Sequence, residues 1–337
     1  MSQVKKEKRK DTLKESTKPV ISRRKTSRVP YIIASVIIAA VVVLVGIAFY
    51  QQYVAPFQKT IMTIDGDTVI KMRYFLDRAK LAGASGLATM QNLNNEEILK
   101  LAAEKYSIDV TEEDIDNELR REAAGGDNMT ITEIEFAEWY RQLLNERGVS
   151  GSLYRQMVAA SLREAKFREY IYGNISTTRE HAHVYAIFLS TYDEALAVKE
   201  RIDNGENFQK LASEISIDPT TSELGGELDW LPQGVYFYNM DPFSIEIGKA
   251  SDVLAVVEDI TSEEGPAAYY VMMVMEREDR EILDGYLSQV QSYDYQQWLS
   301  SETTTHTIKW NYNSEIDAWV SWQLSKSNPS STTATGG

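Results

Sequence analysis

Few side chains in this sequence are equipped for covalent chemistry. There is no Cys, which excludes a thiolate nucleophile, Cys-ligated zinc, a lipid-modified Cys and a disulfide framework. The three His are His181, His183 and His306. On a strand, His181 and His183 at i and i+2 share one face, a spacing that suits a metal, but His306 is distant and no third ligand can be assigned. The sequence therefore implies neither a metal nor a cofactor. The most distinctive stretch is GGELDWLPQG, residues 225–234. Two adjacent glycines, a Trp, and a Pro two residues before another Gly read as neither helix nor strand, so a particular backbone shape is being specified.

Around these residues, 337 positions with 43% apolar and 25% charged residues suit one to three folded domains with a sizeable core. The net charge of −15 is unevenly spread. Residues 1–30 hold 11 Lys or Arg against 3 acidic residues, a net of +8, leaving −23 for the rest. Between them, YIIASVIIAAVVVLVGIAFY at 31–50 has 20 residues without a charge, enough at ~1.5 Å per residue to span a hydrocarbon core of ~30 Å. KKEKRK and RRKTSR precede it and no Lys or Arg follows until Lys59, so the positive-inside bias places the N-terminus in the cytoplasm and the acidic bulk outside. The expected location is thus the cell membrane, single-pass, with residues 31–50 in the lipid bilayer. A cleaved signal peptide is the other reading, but its apolar region usually runs only about 7–15 residues. An acidic exterior argues against nucleic acid as a partner.

Beyond the span, TIMTIDGDTVIKMRYF reads as two short strands joined at Asp65-Gly66. Amphipathic helices follow. Ile98, Leu99 and Ala102 share a side, Thr111 and Asp114 form a capping box, and Gly148 stops the helix that carries Phe136, Trp139 and Tyr140. Ser152 is placed to cap the next helix, which carries Leu153, Met157, Leu162, Phe167 and Tyr170. From residue 181 the pattern becomes a strand, two helices parted at Asn204-Gly205, the quoted loop, and the strands VLAVVEDI and AYYVMMVME. A helix at 281–301, a short strand HTIKWN and a helix with Trp319 and Trp322 come after it, then a polar tail.

Residues 181–280 resemble a parvulin-type peptidyl-prolyl isomerase domain. The resemblance rests on VYAIFLS, DEALAVKERIDNGENF, LASEISIDP, GGELDWLPQG and YYVMMVMERED in that order. GGELDWLPQG is the specific piece, with Asp229 where the family often has a further Gly. More loosely, the flanking helices resemble the chaperone segment of bacterial membrane-anchored or periplasmic parvulin foldases. The resemblance implies an α+β class with a mainly helical chaperone-like domain and an inserted βααβαββ-type domain of the FKBP-like superfold. The expected boundaries are a basic tail at 1–30, an anchor at 31–50, the helical domain at 51–178, the parvulin-like domain at 179–280, returning helices at 281–325 and a disordered tail at 326–337.

In the family, two His and a Cys or Asp form a polar cluster beneath a prolyl pocket. Carried over by position, the acid is Asp218, while the two His fall at Ala186 and Tyr270. Tyr270 is expected to donate toward Asp218. The pocket wall is expected from Leu228, Leu231, Tyr236, Met240 and Phe243. Within the loop, Gly225 and Gly226 allow the turn and Pro232 stiffens its exit, although a plain surface turn would also account for the glycines. Two functions follow. One is an extracytoplasmic foldase that isomerises X-Pro bonds of unfolded or partly folded exported polypeptides, attenuated by the loss of the His pair. The other is a catalytically inactive chaperone of the same fold.

Overall fold

The computed structural model describes residues 29–126, 130–238, 240–256 and 267–327. The expected basic tail at 1–30 lies almost wholly outside these, as do the second half of VLAVVEDI and residues 328–337 of the expected tail. The chain divides into two units, Met1–Lys59 and Thr60–Gly337.

In the first unit, α1 runs Val29–Tyr53 and α2 Ala55–Gln58. The apolar stretch Ile32–Tyr53 is long and apolar enough to cross a membrane.

The second unit begins with β1 (Thr60–Ile64) and β2 (Thr68–Lys71). Asp65 and Gly66 between them take φ of +53° and +87°, the left-handed pair that a tight two-stranded turn requires. Five helices follow: α3 (Met72–Ala82), α4 (Gly86–Ala102), α5 (Glu112–Ala124), α6 (Glu133–Arg147) and α7 (Gly151–Tyr172). The Thr111/Asp114 capping box is present at α5, and Gly148 ends α6 at φ +64°. The cap of α7 is Ser150 rather than Ser152: its hydroxyl accepts from the Leu153 N–H, because the helix starts directly after the Gly148 turn.

Next come β3 (Thr178–Leu189), α8 (Tyr192–Asp203), α9 (Phe208–Ile215), α10 (Pro219–Ser222), β4 (Glu227–Pro232), a 3-10 turn Pro242–Ser244, β5 (Leu254–Val256) and β6 (Ala268–Glu281). The chain closes with α11 (Asp284–Thr304), β7 (Ile308–Trp310) and α12 (Ser314–Ser327). The last helix extends through Ser327, into the segment expected as tail.

The topology is α+β, with two antiparallel sheets ordered β2-β1-β7 and β4-β3-β6-β5. The helix expected between the second and third strands of the larger sheet is only the 3-10 turn, and an extra helical turn, α10, precedes β4. GGELDWLPQG is corrected in one respect: Glu227–Pro232 is a strand. It pairs along β3 from His181↔Pro232 to Tyr185↔Glu227, and as an edge strand it tolerates Pro232, which has no N–H to donate.

Alternation along β3 divides the larger sheet into two faces. Tyr185, Ile187 and Leu189 point to α8 and α9, where Ala195, Val198, Phe208 and Leu211 are buried. Ala182, Val184, Ala186 and Phe188 point the other way, with Leu231, Tyr270, Met272 and, from α11, Val290. α11 also packs on α4 and α7, and β7 pairs with β1, so the end of the chain returns to its helical beginning.

Candidate prolyl site

The second of those faces carries the candidate site. Tyr270 is its centre: it is fully buried, and its ring lies 5.7 Å from Phe188, 5.8 Å from Phe237 and 5.9 Å from Tyr238, centroid to centroid. Phe188↔Tyr270 are register partners across β3 and β6, which is why a bulky ring on each strand meets the other. Phe237 and Met240 exchange both backbone hydrogen bonds at 2.9 Å, making a tight reversal that carries Tyr238 at φ +42° over the sheet.

Of the expected pocket wall, Leu228, Met240 and Phe243 pack half-buried against this cluster and Leu231 is buried within it. Tyr236 is not part of it. The residue is 47% exposed and its ring turns toward Tyr293 of α11, 6.4 Å away, because alternation along 235–237 sends Val235 and Phe237 inward and Tyr236 outward. The bond from Tyr270 toward Asp218 is also corrected: the Tyr270 hydroxyl donates to the Phe237 carbonyl at 3.3 Å. Asp218 is instead the N-cap of α10, accepting from the Thr220 N–H at 3.3 Å, the Thr221 N–H at 3.1 Å and the Thr221 hydroxyl. Its carboxylate is therefore committed to its own turn. Ala186 leaves the face without a polar group where the family has its first His.

Burial, followed by the neighbouring Tyr238, pushes the Tyr270 hydroxyl up to about 12, so it is a neutral hydrogen-bonding group at physiological pH. His183 is on the opposite face, stacked on Trp230 with its Nε2 2.8 Å from Glu227.

Sequence reasoning missed the groups that frame the site. Phe188, Phe237 and Tyr238 supply its rings. Arg277 lies across from Ala182, stacks 4.8 Å from the Phe243 ring and donates to the carbonyls of Phe243 at 3.1 Å and Ile245 at 2.8 Å, fixing the 3-10 turn and the residue after it. Buried Ser251 receives the Met272 N–H at 2.9 Å. For Phe188 the signal was available, since it alternates with Ala186 along the strand. For Arg277, at the charged end of β6, nothing local marked it.

The two glycines of the loop differ in what they do. Gly226 has φ +86°, and a Cβ there would meet the Ala186 carbonyl oxygen at 2.7 Å. The Ala186 N–H also donates to the Gly226 carbonyl at 2.8 Å. Close backbone approach at the mouth of β4 requires glycine.

An apolar sheet face and a glycine-shaped entry to its edge strand, with no nucleophile in reach among the described residues, form an arrangement that can hold a ring and twist an amide. Residues 177–259 match the family described as the PPIC-type PPIase domain. That segment carries a parvulin-type peptidyl-prolyl isomerase domain. The chain is similar to the foldase protein PrsA of Geobacillus kaustophilus, 29% identical over 174 residues, covering 50% of this chain and 57% of the relative. PrsA of Streptococcus sanguinis is 23% identical over 261 residues, covering 72% and 71%. PrsA of Clostridium tetani is 24% identical, with 45% and 42% covered, so the chain spans about half the length of the first relatives it matches. Among solved structures, PrsA from Bacillus cereus aligns over 83% of this chain and 95% of its own at 17% identity and a TM-score of 0.33. Pin from Cenarcheaum symbiosum aligns over 28% and 92% at 31% identity and a TM-score of 0.21.

Proposed function

We propose that this parvulin-type chain is a membrane-anchored foldase that accelerates cis-trans isomerisation of X-Pro bonds in exported polypeptides, at a reduced rate. The observation that carries the reading is the apolar face built by Leu228, Leu231, Met240, Phe243 and Tyr270 on a parvulin-type sheet. Rotation about an X-Pro amide faces a barrier of ~18–20 kcal/mol, mostly lost resonance, and needs no covalent intermediate. A pocket that grips the prolyl ring and favours the twisted amide over the planar one lowers that barrier. Tyr270 lies buried at the centre of that face, and its neutral hydroxyl donates to the Phe237 carbonyl. With Ala186 and Tyr270 in place of the family's His pair, little polar stabilisation of the twisted amide is left, which accounts for the proposed attenuation.

α1 with the basic residues before it supports an uncleaved anchor whose N-terminus is cytoplasmic, and the PrsA relatives support clients that are folding after export. The expected division, with a parvulin-like domain at 179–280 inserted between helical segments at 51–178 and 281–325, belongs to this proposal. A second reading, a binding chaperone without turnover, is favoured by one observation: the rings of Phe237 and Tyr238 stand on Tyr270. Magnetisation-exchange NMR on an X-Pro peptide separates the two. Exchange above background at concentrations where binding is visible supports the isomerase; binding without exchange sinks it and leaves the chaperone.

A further inference from the structure

Beside the candidate prolyl site lies a second cleft of about 480 Å³, within the size range of ligand sites. One wall is Gly234 and Tyr236, the other a stripe of α11 bearing Ser288, Gln289, Ser292, Tyr293, Gln296 and Gln297. No lining residue is charged, in a chain that is 25% charged. The five Ser and Gln side chains are exposed, and none is hydrogen-bonded to another described residue.

The cleft is shaped by Gly234, whose φ is +94° and whose Cβ would stand 2.6 Å from the Tyr293 ring, so only glycine lets that ring lie on the loop backbone. The charged groups around Tyr293 are occupied. Arg179 and Asp294 pair at 2.7 Å, and Asp241 accepts the Phe243 N–H at 2.9 Å.

We propose that this cleft binds uncharged, extended polypeptide next to the client's proline, which makes α11 a specificity element; the inference rests on the prolyl-site reading. Each Gln amide offers both a donor and an acceptor, the pair that a peptide unit needs, and the Tyr236 and Tyr293 rings give a flat apolar surface for side chains. Continuity favours polypeptide over other neutral polar ligands: Tyr236 is adjacent to Phe237 and shares its loop with Met240, so the cleft and the prolyl face border the same loop. From Ser288 to Gln297 the stripe is ~14 Å long at 1.5 Å per residue, room for about four extended residues. A charged residue entering this uncharged lining would lose hydration without gaining a partner.

The test uses the full chain in nanodiscs and three labelled peptides with the same central Ala-Pro: one bare, one flanked by about four Ser, Asn and Gln residues, and one flanked by Asp and Glu. Titration is expected to give about tenfold tighter binding for the neutral flank than for the bare peptide, and no gain for the acidic flank. The ratio of neutral-flank to bare affinity should fall to near unity in Gln289→Glu and Gln297→Glu, which keep side-chain volume and are checked for folding by circular dichroism. Equal binding of all three peptides to the parent would overturn the proposal while leaving isomerisation of the bare peptide intact. Conversely, a flank gain that depends on Gln289 and Gln297, with no isomerisation of the bare peptide, would sustain the cleft and defeat the isomerase reading. Displacement of the flanked peptide by a neutral oligosaccharide at lower concentration than by unlabelled peptide would assign the cleft to glycan and overturn the proposal.

Discussion

Gly226, Leu228 and Asp218 lie within eleven residues of one another, and the structure gives each a different physical job. Because a Cβ at Gly226 meets backbone rather than a movable side chain, and φ is positive, Gly226→Ala is expected to destabilise the fold by about 1–3 kcal/mol, seen as a lower urea midpoint. Leu228 is half-buried on the candidate pocket, so Leu228→Ala should weaken X-Pro peptide binding by about 1–3 kcal/mol, while any suppression of client aggregation by the helical segments proposed as chaperone-like should persist. Asp218 holds the first turn of α10, so Asp218→Ala should cost about 1 kcal/mol of stability, as loss of a cap does. A slower isomerisation with an unchanged melting temperature would instead return Asp218 to the chemistry.

At the scale of elements, side-chain caps and buried tyrosines set the pH range over which the fold holds. Tyr154 at α7, Tyr270 at β6 and Tyr286 at α11 are each pushed up to about 12, from 10.0, chiefly by burial. The folded state keeps these protons longer than the unfolded chain, so their contribution is intact below pH 10 and is lost as pH rises from 10 through 12. Urea midpoints should therefore fall across that alkaline window, and Tyr270→Phe should make the decline shallower. On the acid side, the hydrogen bonds from His306 and then the Thr307 N–H hold Asp65 below its usual 3.8, while Lys166 and then the Thr111 N–H do the same for Asp114. Here stability is present above 3.8 and declines as pH falls below it, loosening the β1–β2 turn and the start of α5 together.

Across the whole molecule, the two ends of the second unit depend on each other. β7 completes the sheet of β1 and β2, and α11 fills the space beside α4 and α7. Glu302 of α11 is buried, accepting from Lys105 at 2.8 Å and from the Tyr106 hydroxyl at 3.2 Å, while the Trp298 indole donates to Tyr106 at 3.0 Å. A fragment of residues 60–178 should thus show little cooperative unfolding by circular dichroism and rapid proteolysis, and addition of residues 281–327 should restore protection. Residues 177–281 should fold alone but with lowered stability, since Val290 of α11 leaves the sheet face it covers. Cooperative, protease-resistant folding of residues 60–178 alone would refute this dependence.

What the sequence alone determined was local or ordered along the chain. The apolar run of α1, the Thr111/Asp114 box, the Asp65-Gly66 turn and the strand-helix order around GGELDWLPQG each act between residues close in sequence, where periodicity and capping chemistry are sufficient. The partner of a side chain was a different matter. That the Tyr270 hydroxyl meets the Phe237 carbonyl and not Asp218, that Tyr236 leaves the pocket for Tyr293, and that Arg277 clamps the Phe243 segment were decided only by tertiary structure. The physical reason is one of separation. These pairs lie between 33 and 57 residues apart, and which atoms meet depends on strand register, on the side of the chain that alternation turns outward, and on a helix arriving from the far end. The loop shows both halves at once: its glycines were legible as a demand for shape, but what they yield to, the Ala186 carbonyl at one end and the Tyr293 ring at the other, exists only once β3 and α11 are in place.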